Sequence, residues 1–174
     1  FRAALAIDEA VATVTLPLGG EATLVPCDIR DFDALDRLGL ALHERWGRLD
    51  AFVGNAGVLG PQNNGAVPCS KAEFDTVMHT NVLGPLRAIP LVAPALVRTK
   101  GTFAFISSRM GSIADNGSGG YYGYRMSKAA LNAAGKSLAI DLAPRGVAVV
   151  ILHPGFVRTE TVSYTHLTLP TNRE

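Results

Sequence analysis

The sequence predicts a single α/β domain built on a parallel sheet with helices on both faces. Short, nearly all-apolar runs recur along the chain, stretches of helical spacing separate them, and turn residues close each run. At 174 residues, 48% hydrophobic and 18% charged, the chain is long enough for one sizeable core and too apolar for a disordered one.

The first clear run is ATLVPC, residues 22–27, read as a strand. Residues 31–47 follow with Ala34, Leu35, Leu38, Ala41 and Leu42 at helical spacing, Asp31 and Asp33 at the start and Gly47 past the end. LDAFV, residues 49–53, is a second buried strand, closed by the turn GNAG at 54–57. Residues 71–97 carry a helical pattern, with a break or kink expected near Gly84 and Pro85. GTFAFISS, residues 101–108, is a third strand, rich in aromatic and β-branched side chains. A Gly- and Ser-rich loop then runs to Gly123 and leads into a helix that ends at Pro144. VAVVIL, residues 147–152, is a fourth buried strand, stopped by Pro154 and Gly155.

Sixteen basic and fifteen acidic side chains leave a net charge of +1, so no electrostatic footprint for nucleic acid or an anionic membrane is present and a small-molecule partner is expected. Cys27, Cys69 and the four histidines are scattered, without metal-ligand spacing, and no metal site is expected. The most apolar stretch, residues 86–97, is too short to span a bilayer and contains Pro90 and Pro94, so no membrane segment is expected. The first twenty residues lack the features of a secretory signal, and a cytoplasmic location is the expectation. Residues 162–174 break the alternation of elements. The domain is therefore read as residues 1–161, followed by a non-native or disordered tail.

The chemistry concentrates on Tyr124 and Lys128, four residues apart and so on one face of a helix. An ammonium beside a phenol stabilises the phenolate and lets it exchange protons nearer neutrality. Ligands in parallel α/β sheets bind outside the carboxyl ends of the strands. Asp28, Asn55 to Gly57, Ser107 with Ser108, and Pro154 onward all stand at those ends.

With these residues assembled, the chain resembles the short-chain dehydrogenase/reductase family over residues 22–161. The Asn-Ala-Gly turn is Asn55, Ala56 and Gly57, the Tyr-x-x-x-Lys pair is Tyr124 and Lys128, the serine after the strand is Ser108, and the helix asparagine is Asn81. The resemblance implies a Rossmann-like, doubly wound sheet and an oxidoreductase using NAD or NADP on a carbonyl or alcohol. Tyr124 is then the general acid/base, Ser108 holds the substrate oxygen, Lys128 binds the nicotinamide ribose, and Asn81 holds a water in a proton relay. Asp28 and Ile29 are implied at the adenine. Pro154, Gly155, Val157 and Thr159, in HPGFVRT, are implied near the nicotinamide and phosphate.

Other readings stand beside these. Asp28 is also suited to starting a turn, and Asn55 to fixing one. Ser107 rivals Ser108, although strand alternation turns only one of them to the cleft. Asn116, Tyr121 and Tyr122 are expected at the pocket entrance.

One family feature is absent: no Gly-rich strand-turn-helix motif for a pyrophosphate occurs in the sequence. The fold is accordingly read as lacking its first βαβ unit and its last strand, with the chain an incomplete domain, inactive alone. The family implies a homo-oligomer for the complete protein. A non-catalytic nucleotide-binding signalling protein, or an extended-type epimerase or dehydratase, are the alternative functions.

Overall fold

The computed structural model describes residues 12–15, 19–62, 65 and 69–155. Its centre is a three-stranded parallel sheet of β3 (Ala51–Gly54), β4 (Thr102–Ile106) and β5 (Ala148–Leu152), in that spatial order. Phe52, Phe103 and Val149 stand side by side in its register. Each parallel pair needs a helical crossover, and the sequence supplies one between each two strands.

Between β3 and β4 runs one helical stretch: α2 (Lys71–Met78), a π turn (His79–Leu83) and α3 (Gly84–Thr99). Between β4 and β5 runs α4 (Tyr122–Leu142). Alternation puts Phe103 and Phe105 on the same sheet face, where both are fully buried against Val92 and Leu96 of α3 and Leu131, Leu138 and Leu142 of α4. The Phe52, Phe103 and Phe105 rings stack in series with centroids 4.7 Å apart, in tilted arrangements that suit aromatic quadrupoles. On the opposite sheet face Val53 and Leu152 are exposed.

Helix α1 (Phe32–Arg45) packs on α3. Its start follows the reading of Asp31 and Asp33: Asp31 is the N-cap, its carboxylate accepting from the Ala34 N–H at 2.9 Å, and Asp33 sits in the positive first turn.

Two elements differ from expectation. The run at 22–27 is strand only over β2 (Glu21–Leu24), and it pairs antiparallel with β1 (Ala12–Thr15) in a separate hairpin, outside the parallel sheet. Pro26 has no N–H to extend the ladder, so the backbone becomes irregular before Asp28.

The break expected near Gly84 and Pro85 is instead a π turn just upstream, and the helix continues from Lys71 to Thr99. Pro85 cannot donate to the carbonyl four residues back and its ring would crowd that carbonyl; the wider turn, closed by Gly84 N–H to His79 O, relieves both. Pro90 and Pro94 lie on the exposed side of α3, where water can solvate the carbonyls they leave without partners. The joined run of 29 residues is long and apolar enough to cross a bilayer by length and composition, and half of its most apolar part is buried within this protein.

Candidate active site

Tyr124 and Lys128 leave α4 on one face, with the Lys128 Nζ 5.6 Å from the centre of the Tyr124 ring. Tyr124 is half-buried, whereas Lys128 is 4% exposed. The ammonium donates to the Ile106 carbonyl at 2.8 Å, which anchors it at the end of β4. Burial pushes the Lys128 amine below the ordinary lysine range, because desolvation disfavours its charge.

Asn81 lies in the π turn and is fully buried. Its Oδ1 accepts from Val58 N–H at 2.8 Å, and its Nδ2 donates to Val58 O and to Ser127 Oγ, both at 2.9 Å. Ser127, also fully buried, donates onward to the Tyr124 carbonyl at 2.8 Å. Both amide hydrogens of Asn81 are thus used within the protein, tying the loop after β3 to the backbone of the Tyr–Lys helix. Gly57 fits against this knot. A β-carbon there would stand 3.4 Å from Asn81 Oδ1 and 3.6 Å from Lys128 Nζ, so a longer side chain would enter the space beside the ammonium.

The two serines after β4 diverge as alternation requires. Ser107 is 6% exposed and donates to Asn132 Oδ1 at 2.6 Å. Ser108 caps the short 3-10 turn Arg109–Gly111, its Oγ accepting from Met110 N–H at 3.1 Å. A hydroxyl that accepts in this way still has its own proton to donate.

Tyr124, Lys128, Asn81 and Gly57 therefore form one connected cluster, with Ser108 joined to it through the end of β4. The residues named for the adenine lie apart from it. Asp28 is exposed and already engaged: its carboxylate accepts from Arg30 N–H at 2.9 Å and pairs with the Arg30 guanidinium at 2.6 Å. Hydrogen bonds from the Arg30 side chain, then its backbone, hold the Asp28 carboxyl at about 2. Asp28 borders an open polar recess of about 440 Å³ with Asp75 and His79. Ile29, Asn55 and Ala56 instead share a more apolar hollow of about 240 Å³ with Leu35, Phe52 and Leu91.

Asn55 is in a tight turn, its N–H donating to Val53 O at 3.0 Å. Pro154 and Gly155 follow β5 and are exposed; Gly155 has φ +73°, a backbone that disfavours other residues. Val157, Thr159 and the tail from 162 lie outside the described residues.

Ser127, Asn132, Gly111 and Arg125 also shape the site and were not singled out from sequence. Asn132 was legible: it follows Lys128 by one helical turn and so shares its face. Arg125 carried no such signal, yet its guanidinium gathers Ser118 Oγ at 2.9 Å and the carbonyls of Gly119 and Gly120 at 3.1 Å, shaping the loop before α4.

A family profile described as enoyl-(acyl carrier protein) reductase matches residues 3–168. The chain is 38% identical over 136 residues to 1-hydroxy-2-glutathionyl-2-methyl-3-butene dehydrogenase of Rhodococcus sp. strain AD45, covering 76% of this chain and 58% of that protein. It is 42% identical over 120 residues to the C-signal protein of Myxococcus xanthus, covering 66% of this chain and 69% of that one. The carbonyl reductase Sniffer of D. melanogaster superposes with a TM-score of 0.75 at 31% identity, over 80% of this chain and 61% of that structure. The chain thus spans little more than half the length of the Rhodococcus relative. Its parallel sheet with flanking helices, the Tyr–Lys helix and a match over nearly its whole length lead to one conclusion: this chain belongs to the short-chain dehydrogenase/reductase family.

Proposed function

We propose that the protein is an NAD(P)-dependent oxidoreductase that interconverts a carbonyl and an alcohol, with Tyr124 as general acid/base. The observation that carries this reading is the buried Lys128 ammonium, anchored on Ile106 O and held beside the Tyr124 ring. A non-catalytic nucleotide-binding role would use the lysine for the ribose but gives no role to the phenol beside it.

The residues fit the nicotinamide end of such a cofactor. Lys128 carries three N–H donors and spends one on Ile106 O, and Gly57 leaves the space beside it unfilled. Lys128 would bind the ribose, Asn55, Ala56, Pro154, Gly155, Val157 and Thr159 would contact the cofactor as in the family, and Asp28 and Ile29 would serve the adenine end. The bound cofactor supplies or accepts a hydride at the substrate carbon.

In the reducing direction Ser108 donates to the carbonyl oxygen, and Tyr124 gives that oxygen its proton as negative charge develops there. Lys128 then stabilises the anion left on the phenol. Asn81, through Ser127, sets the position of the Tyr124 backbone in this scheme. The substrate is a small molecule, and the protein is read as a cytoplasmic homo-oligomer that engages neither nucleic acid nor membrane.

Tyr124→Phe, made in the protein expressed from its complete gene, tests the assignment. Carbonyl reduction is expected to fall by about 10²–10⁴, while cofactor titration by fluorescence keeps its midpoint. Retained turnover would remove Tyr124 from the proton transfer.

A further inference from the structure

We infer that Asn132 is a positioning residue for the Ser108 hydroxyl, an inference that rests on the oxidoreductase reading above. Helix α4 grips two consecutive residues at the end of β4. Lys128 Nζ holds Ile106 O at 2.8 Å, and one turn later Asn132 Oδ1 receives the Ser107 hydroxyl at 2.6 Å. Ser107 N–H also makes a sheet bond to Leu152 O at 2.7 Å, beyond the last residue of β4. Ser108 is the first residue past that hold, and its own hydrogen bonds are local, its Oγ accepting from Met110 N–H and its carbonyl from Gly111 N–H. Its place relative to α4 is therefore inherited from its neighbours.

The far side of Ser108 packs against the same helix. The 3-10 turn ends at Gly111, where a β-carbon would stand 2.8 Å from the Lys128 carbonyl carbon, 2.9 Å from Lys128 Cβ and 3.0 Å from Asn132 Nδ2. The turn thus lies directly on α4, with the Asn132 amide against it. Asn132 is hydrogen-bonded to the chain before Ser108 through its oxygen and packs beside the turn that follows Ser108. It does so without charge, which leaves the field of Lys128 at the phenol unopposed. Misplacing a reacting group by about 1 Å can cost on the order of 100-fold in rate, so a bond on one flank of Ser108 and close packing on the other have a kinetic consequence.

The test is a double-mutant cycle in the protein expressed from its complete gene, assayed with NADH and NADPH on a panel of aromatic and aliphatic aldehydes and ketones. Asn132→Ala is expected to lower kcat about 10-fold and to leave KM and the cofactor Kd little changed. In a Ser108→Ala background the same change is expected to have almost no further effect on kcat. Ser107→Ala reproduces the loss from the other side of the bond, and Ser107→Thr, which keeps the hydroxyl donor, restores kcat. The Ser107 pair also serves as the test should Asn132→Ala fail to fold. An equal loss in wild-type and Ser108→Ala backgrounds, or no loss from either partner, overturns the inference alone. Unchanged turnover in both Ser108→Ala and Tyr124→Phe overturns the reading of the site and this inference with it.

Discussion

Lys128 shows what a single residue contributes and costs. Its ammonium is nearly excluded from solvent with one hydrogen bond to Ile106 O, and desolvation lowers its pKa in the folded state. Between that lowered value and the ordinary one of about 10.4, the unfolded chain binds more protons than the folded one, so stability rises with pH across this window. Below it both states are protonated and the burial penalty is constant. Chemical denaturation of wild type and Lys128→Met from pH 7 upward should show the wild type gaining stability relative to the variant as pH rises. A pH-independent difference would mean that the lysine is not desolvated. Tyr124 and Lys128 were legible in the sequence because helical spacing alone puts them on one face. Ser127 was not, since what distinguishes it is burial against Asn81, a contact 46 positions away in the chain.

At the scale of elements, the π turn joins the loop after β3 to the Tyr–Lys helix. Without the wider turn around Pro85, the run from Lys71 to Thr99 would be regular and Asn81 would point elsewhere. Asn81→Ala removes three hydrogen bonds and strands the part-buried Val58 N–H and carbonyl, while the buried Ser127 hydroxyl loses its donor and keeps its own bond to the Tyr124 carbonyl. A loss of about 1–3 kcal/mol is expected for leaving such groups unpaired, read as a lower urea midpoint with an unchanged m-value. A variant as stable as wild type would show that these bonds are replaced by water. The sequence placed Asn81 in a kinked helix near the site but could not show where its amide points. Which carbonyls a proline leaves free follows from spacing, whereas how the helix accommodates the loss depends on the elements packed around it.

Over the whole molecule, alternation of apolar runs and helices was enough to foresee the parallel sheet, because buried parallel strands are apolar on both faces and need helical crossovers. It misassigned the run at 22–27. β2 alternates Glu21 and Thr23 with Ala22 and Leu24, the pattern of a half-buried antiparallel strand, and its partner is β1. The three paired strands are sufficient to bring Asn55 to Gly57, Ser108 and Pro154 to one edge, over the face of the sheet that α3 and α4 cover.

If this edge carries hydride and proton transfer, a label on the cofactor must reach the substrate carbon. With the protein expressed from its complete gene, a carbonyl panel and a reduced nicotinamide cofactor deuterated at the transferable position, mass spectrometry reports whether deuterium reaches the former carbonyl carbon. Deuterated alcohol is expected from the wild type, and at a rate lower by about 10²–10⁴ from Tyr124→Phe. Alcohol without the label, no reduction of any carbonyl, or label transfer at the wild-type rate by Tyr124→Phe would contradict that role for the edge.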